Sequence, residues 1–117
     1  MADKTIKKVS AANSPAGAMG QEYLASGVSV SMRLWEQHAA RSADPAITAR
    51  DYETVGYVLG GRAELELEDQ KVALEPGDCW VVPKGARHRY RILESFTAVE
   101  ATAPPSQMHG RDDPPQG

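Results

Sequence analysis

His88 is the side chain with the most chemistry to offer in this 117-residue chain. It closes the stretch PGDCWVVPKGARH, residues 76–88. Pro76-Gly77-Asp78 reads as a tight turn, an apolar run follows, and Pro83 and Gly85 end that run and re-aim the chain. An imidazole delivered in this way can ligate a metal, hydrogen-bond a bound molecule, or simply find an internal partner. Two further side chains could join it. On the strand expected over 27–38, Glu36 and His38 continue the parity of Val28, Val30, Met32 and Leu34, the face expected to look inward. With His88 they would make a Glu/His/His set of the kind that binds zinc, iron or manganese. The plainer alternative, which takes precedence, leaves both solvated at a frayed strand end. His109 falls in a Pro-rich tail and is expected to be exposed.

The other reactive residues point to little chemistry. Cys79 is the only cysteine, so no intrachain disulfide can form, and its neighbours Trp80, Val81 and Val82 suggest a buried, inert thiol. Gly60-Gly61 reads as a hairpin turn between strands, not a phosphate loop. No serine sits in a nucleophile elbow. Trp35 and Trp80 could line a pocket but suit a core or an interface better. Arg87, Arg89 and Arg91 share one strand face, read as a solvated outer face. A formal net charge of −3 leaves no electrostatic footprint for nucleic acid. No run approaches the ~18 apolar residues of a membrane helix, and the start MADKTIKK lacks a signal-peptide apolar stretch. A cytoplasmic protein is expected.

The elements that must position these residues are short. GVSVSMRLWEQH (27–38) alternates with period two, as a strand does. YETVGYVLGG (52–61), RAELELED (62–69), QKVAL, CWVVP, RHRYRIL and FTAVEATA follow, separated by turn signals. In RAELELED, Ala63, Leu65 and Leu67 fall on one side and the acids on the other. Seven or more short strands with no helix-period segment predict an all-β sandwich or barrel. Residues 1–20 read as an N-terminal arm, 21–105 as the barrel and 106–117 as a C-terminal tail.

Two stretches resemble the cupins, the small jelly-roll barrel family. YVLGGRAELELEDQKVALEPGD is similar to the family's strand, glycine turn, strand and PGD core. GDCWVVPKGARH looks like its second motif, G-x5-P-x-G-x2-H, through Gly77, Pro83, Gly85 and His88. The resemblance implies a cupin jelly-roll antiparallel β-barrel with His88 inside it. It also implies a metal held by His-x-His-x3-Glu of a first motif together with His88. Counting back from Tyr57, those positions are Thr48, Arg50 and Thr54, so the three first-motif ligands are absent. Glu53 is one residue out of register, hence on the opposite face unless a bulge intervenes.

With the family's inward parity, Thr48, Arg50, Thr54 and Gly56 line the lumen opposite His88 and Tyr90. Gly56 would leave volume there. Arg50 would need an anionic ligand or an acidic partner, and Glu100 is the internal one expected; alternatively Arg50 lies in the preceding loop, solvated. The leading expectation is a binding protein for a small, anionic molecule, with His88 a neutral hydrogen-bonding group and Arg50 supplying the charge. No cofactor is expected on this reading. The alternative is a metal-dependent cupin enzyme, of dioxygenase or isomerase type, with a divalent metal on His88 and Glu36, His38 or Glu53. A third reading fills the barrel with side chains as a structural module. Family resemblance also implies a homodimer, to which Tyr23 and Leu24, with no evident intrachain slot, lend support.

Overall fold

The computed structural model describes residues 6–16, 21–37 and 46–106. They form six antiparallel strands: β1 (Glu22–Ser26), β2 (Ser31–Gln37), β3 (Glu53–Leu67), β4 (Gln70–Leu74), β5 (Cys79–Val82) and β6 (His88–Ala103), with a single 3-10 turn at Ala11–Asn13. The order is β1-β2-β6-β3-β4, and β5 also pairs with β3. The all-β jelly-roll expectation holds.

Two long strands organise the barrel. The first half of β3 lies between the second half of β6 and β5, and the second half of β3 lies between the first half of β6 and β4. The pair bends where its register shifts, between Val58 and Ala63. The expected hairpin at Gly60-Gly61 is therefore a bulge inside one strand, and FTAVEATA continues RHRYRIL without a break. Gly61 has φ +78°, and a Cβ there would fall 1.8 Å from the Ser95 carbonyl oxygen. Only glycine lets β6 cross so close to β3 at a left-handed residue. Fewer, longer strands replace the predicted short ones for this reason.

The core is made by Val58, Ala63, Leu65, Leu74, Trp80, Val82, Phe96 and Ala98, with Leu67, Ala86, Tyr90 and Ile92 packed against it. The acids of RAELELED face the arginines of β6 across the sheet. Arg91 Nη1 lies 2.7 Å from Glu64 Oε1 and Arg89 Nη2 3.1 Å from Glu66 Oε2. Arg89 and Arg91 are thus partly buried and paired, not merely solvated, while Arg87 is exposed as expected.

The parity expected for 27–38 is inverted. Ser31 and Arg33 are buried while Met32 is 41% exposed and Val28 lies in the turn before β2. The inner positions of β2 go to polar residues with partners on β6: Ser31 Oγ hydrogen-bonds Thr102 Oγ1, and Arg33 pairs with Glu100. A one-residue error of parity exchanges the two faces completely. Tyr23 and Leu24 do have an intrachain slot, because β1 pairs with β2 and the Tyr23 N–H donates to the Pro15 carbonyl. At the other end Pro105 and Ser106 remain buried, with the Ser106 N–H donating to Thr102 Oγ1.

Candidate ligand-binding site

Two turns deliver His88. In the first, Gly77 takes φ +91° and its N–H donates to the Val58 carbonyl, which moors the turn to β3. In the second, Gly85 takes φ +82° and the Ala86 N–H closes on the Pro83 carbonyl. The Gly85 N–H also donates to the Arg50 carbonyl, and His88 and Thr48 exchange backbone hydrogen bonds of 2.8 and 2.9 Å. Two of the three missing first-motif positions, Thr48 and Arg50, are thereby fixed beside His88.

These elements enclose a cavity of about 210 Å3. Thr48, Arg50, His88 and Tyr90 stand in its wall, as does Glu100. His88 is 9% exposed. Its Nδ1 lies 2.9 Å from the Ala86 carbonyl. A carbonyl can only accept, so Nδ1 carries the hydrogen and Nε2 is the acceptor of the neutral ring. Burial pushes the imidazole below its ordinary value; the charges of Arg50 and Arg33 push the same way, against the Ala86 hydrogen bond and Glu100. The net effect favours the neutral ring. Tyr90 packs edge-on to it, with centroids 5.8 Å apart, and accepts a hydrogen bond from Trp80 Nε1 at 3.0 Å. Burial first, and the Glu100 charge second, hold its phenol far above the usual value and therefore protonated.

The strongest interaction in the wall was not legible in the sequence. Arg33 Nε donates to Glu100 Oε1 at 2.7 Å, and Trp35 Nε1 donates to the same oxygen. Arg33 Nη1 donates to the Tyr52 hydroxyl at 3.0 Å, and the guanidinium lies over both the Trp35 and Tyr52 rings, about 5 Å from each centroid. The acidic partner expected for Arg50 thus belongs to Arg33. Arg33 was missed, and Trp35 set aside as a pocket residue, because β2 was read with its apolar side inward; Tyr52, just ahead of β3, was not singled out. An arginine and a tryptophan two apart on one strand face were the available signal.

Cys79, expected to be a buried thiol, is exposed. Thr54 is buried but lies outside the cavity wall. Gly56 gives its space to the protein, not to a ligand: a Cβ there would fall 2.4 Å from the Trp80 ring. Glu36 and Glu53 are both exposed on outward-facing positions, and His38 and His109 lie outside the described residues.

This wall does not offer, among the described residues, the ligands of a divalent metal. Among the described residues no group of three or more His, Cys, Asp or Glu could hold a metal ion. Glu100 is engaged by Arg33, and two guanidiniums already oppose positive charge at His88.

A β-sheet bent around one central cavity, closed by paired long strands, defines a small jelly-roll barrel. The chain belongs to the cupin family: the cupin-domain model matches residues 35–102. An uncharacterized protein of Aquifex aeolicus (strain VF5) is 42% identical over 55 residues, a match spanning 47% of this chain and 45% of that one. Among solved structures, KdgF from Halomonas sp. aligns with a TM-score of 0.73 at 21% identity, covering 86% of this chain and 94% of that one. The EutQ protein of Clostridium difficile aligns at 0.67 and 16% identity, covering 94% and 85%. These likenesses establish the fold.

Proposed function

We propose that the protein binds a small carboxylate in its barrel, with Arg50 attracting the anion and neutral His88 hydrogen-bonding it. The observation that carries this reading is the cavity wall itself. It sets Arg33 and Arg50 in one wall with Glu100 and a buried histidine whose imidazole is pushed below its ordinary value, while Arg89 of the same wall pairs with Glu66. The aromatic side chains Trp80, Tyr90 and Phe96 share the same wall and suit an apolar ligand body. A guanidinium is a fixed cation whose planar fork matches a carboxylate.

Calorimetry with propionate and phenylacetate against their neutral amides tests it. The carboxylates should bind and the amides should not, and Arg50→Ala should remove carboxylate binding. Equal binding of acids and amides overturns the reading.

The protein acts in the cytoplasm on this reading, as a homodimer, and without nucleic acid. No helix among the described residues is long and apolar enough to cross a membrane. The dimer draws support from the outer sheet face. Register places Met32, Ala101, Val55 and Val81 in one row across four strands, and Leu34, Val99, Tyr57 and Cys79 in the next. Both rows are uncharged, so two copies of the face can meet in an isologous pair without like-charge repulsion.

A further inference from the structure

The Glu100 carboxylate is only half used by the protein. Its side chain is 2% exposed. Both hydrogen bonds it receives, from Arg33 Nε and Trp35 Nε1, end on Oε1. Oε2 accepts none from the described residues, although Glu100 stands in the cavity wall. His88 Nε2 is a second acceptor of the same wall without a hydrogen bond from the described residues, since Nδ1 faces Ala86. Among the described residues the side-chain atoms left buried without a hydrogen bond are Arg89 Nε and Ser106 Oγ, so these two acceptors keep access to the cavity, and a ligand that brings a donor to the anionic oxygen gains a hydrogen bond to a charged group.

We propose that Glu100 Oε2 is a donor-reading subsite, and that the cavity selects a hydroxylated carboxylate whose hydroxyl donates to that oxygen. This rests on the carboxylate reading above and specifies the ligand class. A hydroxyl fits better than an ammonium. Arg33 already neutralises Glu100, and an ammonium would be a second positive charge beside that pair. The aromatic wall suits a hydroxy acid whose remaining surface is apolar. Losing a hydroxyl that pairs with a buried charged group costs a ligand about tenfold or more in affinity.

Calorimetry on the full chain with matched ligands tests the subsite. The pairs are lactate against propionate and mandelate against phenylacetate. The ethers 2-methoxypropionate and α-methoxyphenylacetate keep the oxygen but lose its hydrogen, and alanine and phenylglycine carry an ammonium. The hydroxy acids should bind about tenfold or more tighter than the acids without a hydroxyl and than the ethers. Glu100→Gln keeps an oxygen for Arg33 and Trp35 but can turn an NH2 toward the cavity, which donates to hydroxyl and ether oxygens alike, so within that variant the ethers should no longer bind more weakly than the hydroxy acids. Should that variant fail to fold, the ether comparison on the wild-type chain decides alone. Equal affinities for hydroxy acids, ethers and plain acids overturn the subsite and leave the carboxylate reading standing. Tighter binding of the ammonium ligands overturns the choice of hydroxyl. Absence of binding by every acid overturns both readings.

Discussion

Arg33 and Glu100 are register partners on β2 and β6, and their side chains meet at 2.7 Å inside the barrel. The pair is almost wholly buried, with side-chain exposures of 7% and 2%. Attraction within such a pair offsets the desolvation of its two charges, whereas removing one partner strands the other. Arg33→Leu should therefore cost about 3–5 kcal/mol, and Arg33→Leu with Glu100→Leu should cost distinctly less than the sum of the single changes. Urea denaturation of the three variants measures this. Additive losses would show that the two groups do not depend on each other.

Gly60 and Gly61 are adjacent, and only one of them is required. Nothing lies within 4 Å of a Cβ at Gly60, whereas at Gly61 it would meet the Ser95 backbone at φ +78°. Gly61→Ala should cost at least ~2 kcal/mol, through left-handed strain and overlap together. Gly60→Ala should change stability by less than about 1 kcal/mol. Thermal denaturation of both variants distinguishes a bulge from the hairpin turn that the dipeptide alone suggests, because a type I′ turn would penalise both positions and a type II′ turn the first, Gly60.

That dipeptide shows where sequence pattern gives out. A double glycine flanked by alternating residues fits a turn and a bulge equally, and the partner strand that decides between them lies some thirty residues away. The turn chemistry around Gly77, Pro83 and Gly85 is local, so the delivery of His88 to the cavity was legible. The inner face of β2 was not. Its inward residues are polar because Glu100 and Thr102 wait for them on β6, and its outward residues are apolar, which reverses the usual sign of the pattern. Thr48 and Arg50 reached the cavity wall as expected, while the volume predicted at Gly56 is taken by Trp80, a cross-strand partner that no single strand discloses.

Chelation should leave ligand binding intact. Among the described residues the cavity offers a metal only His88 and an engaged Glu100, beside two guanidiniums. Protein purified without added metal and then treated with a chelator should bind carboxylates as before. A stoichiometric zinc, iron or manganese that disappears on chelation or in His88→Ala, taking ligand binding with it, would establish the metal-dependent alternative instead.

The uncharged outer face should hold two copies together. Tyr57 is 44% exposed and Val55 48%, side by side with Val99 and Ala101 of β6. Tyr57→Glu puts a charge into the middle of the face and, in a symmetric pair, puts it there twice. Light scattering should give a dimer for the wild-type chain and a monomer for this variant, with the barrel's circular dichroism unchanged. A wild-type monomer at high micromolar concentration would remove the dimer.

The protonation of His88 should be visible in stability. Burial, helped by Arg50 and Arg33, places the folded-state pKa below the ordinary value of 6.5. Between the two values the unfolded chain binds the proton and the folded chain does not, so stability rises with pH there. The contribution of a neutral His88 is fully present above about pH 6.5 and is lost progressively as the pH falls toward the folded value, below which the loss levels off. His88→Gln keeps a polar side chain but cannot titrate. Urea midpoints measured from neutral to mildly acidic pH should therefore fall more steeply for the wild-type chain than for this variant, and the two curves should converge in shape at neutral pH. The carboxylates common to both proteins cancel in the difference between them. Parallel curves throughout would mean that His88 has the same proton affinity folded and unfolded. A wild-type curve that fell less steeply than the variant's would mean that a partner such as Glu100 holds the ring charged, and His88 could not then be the neutral acceptor on which the cavity's chemistry depends.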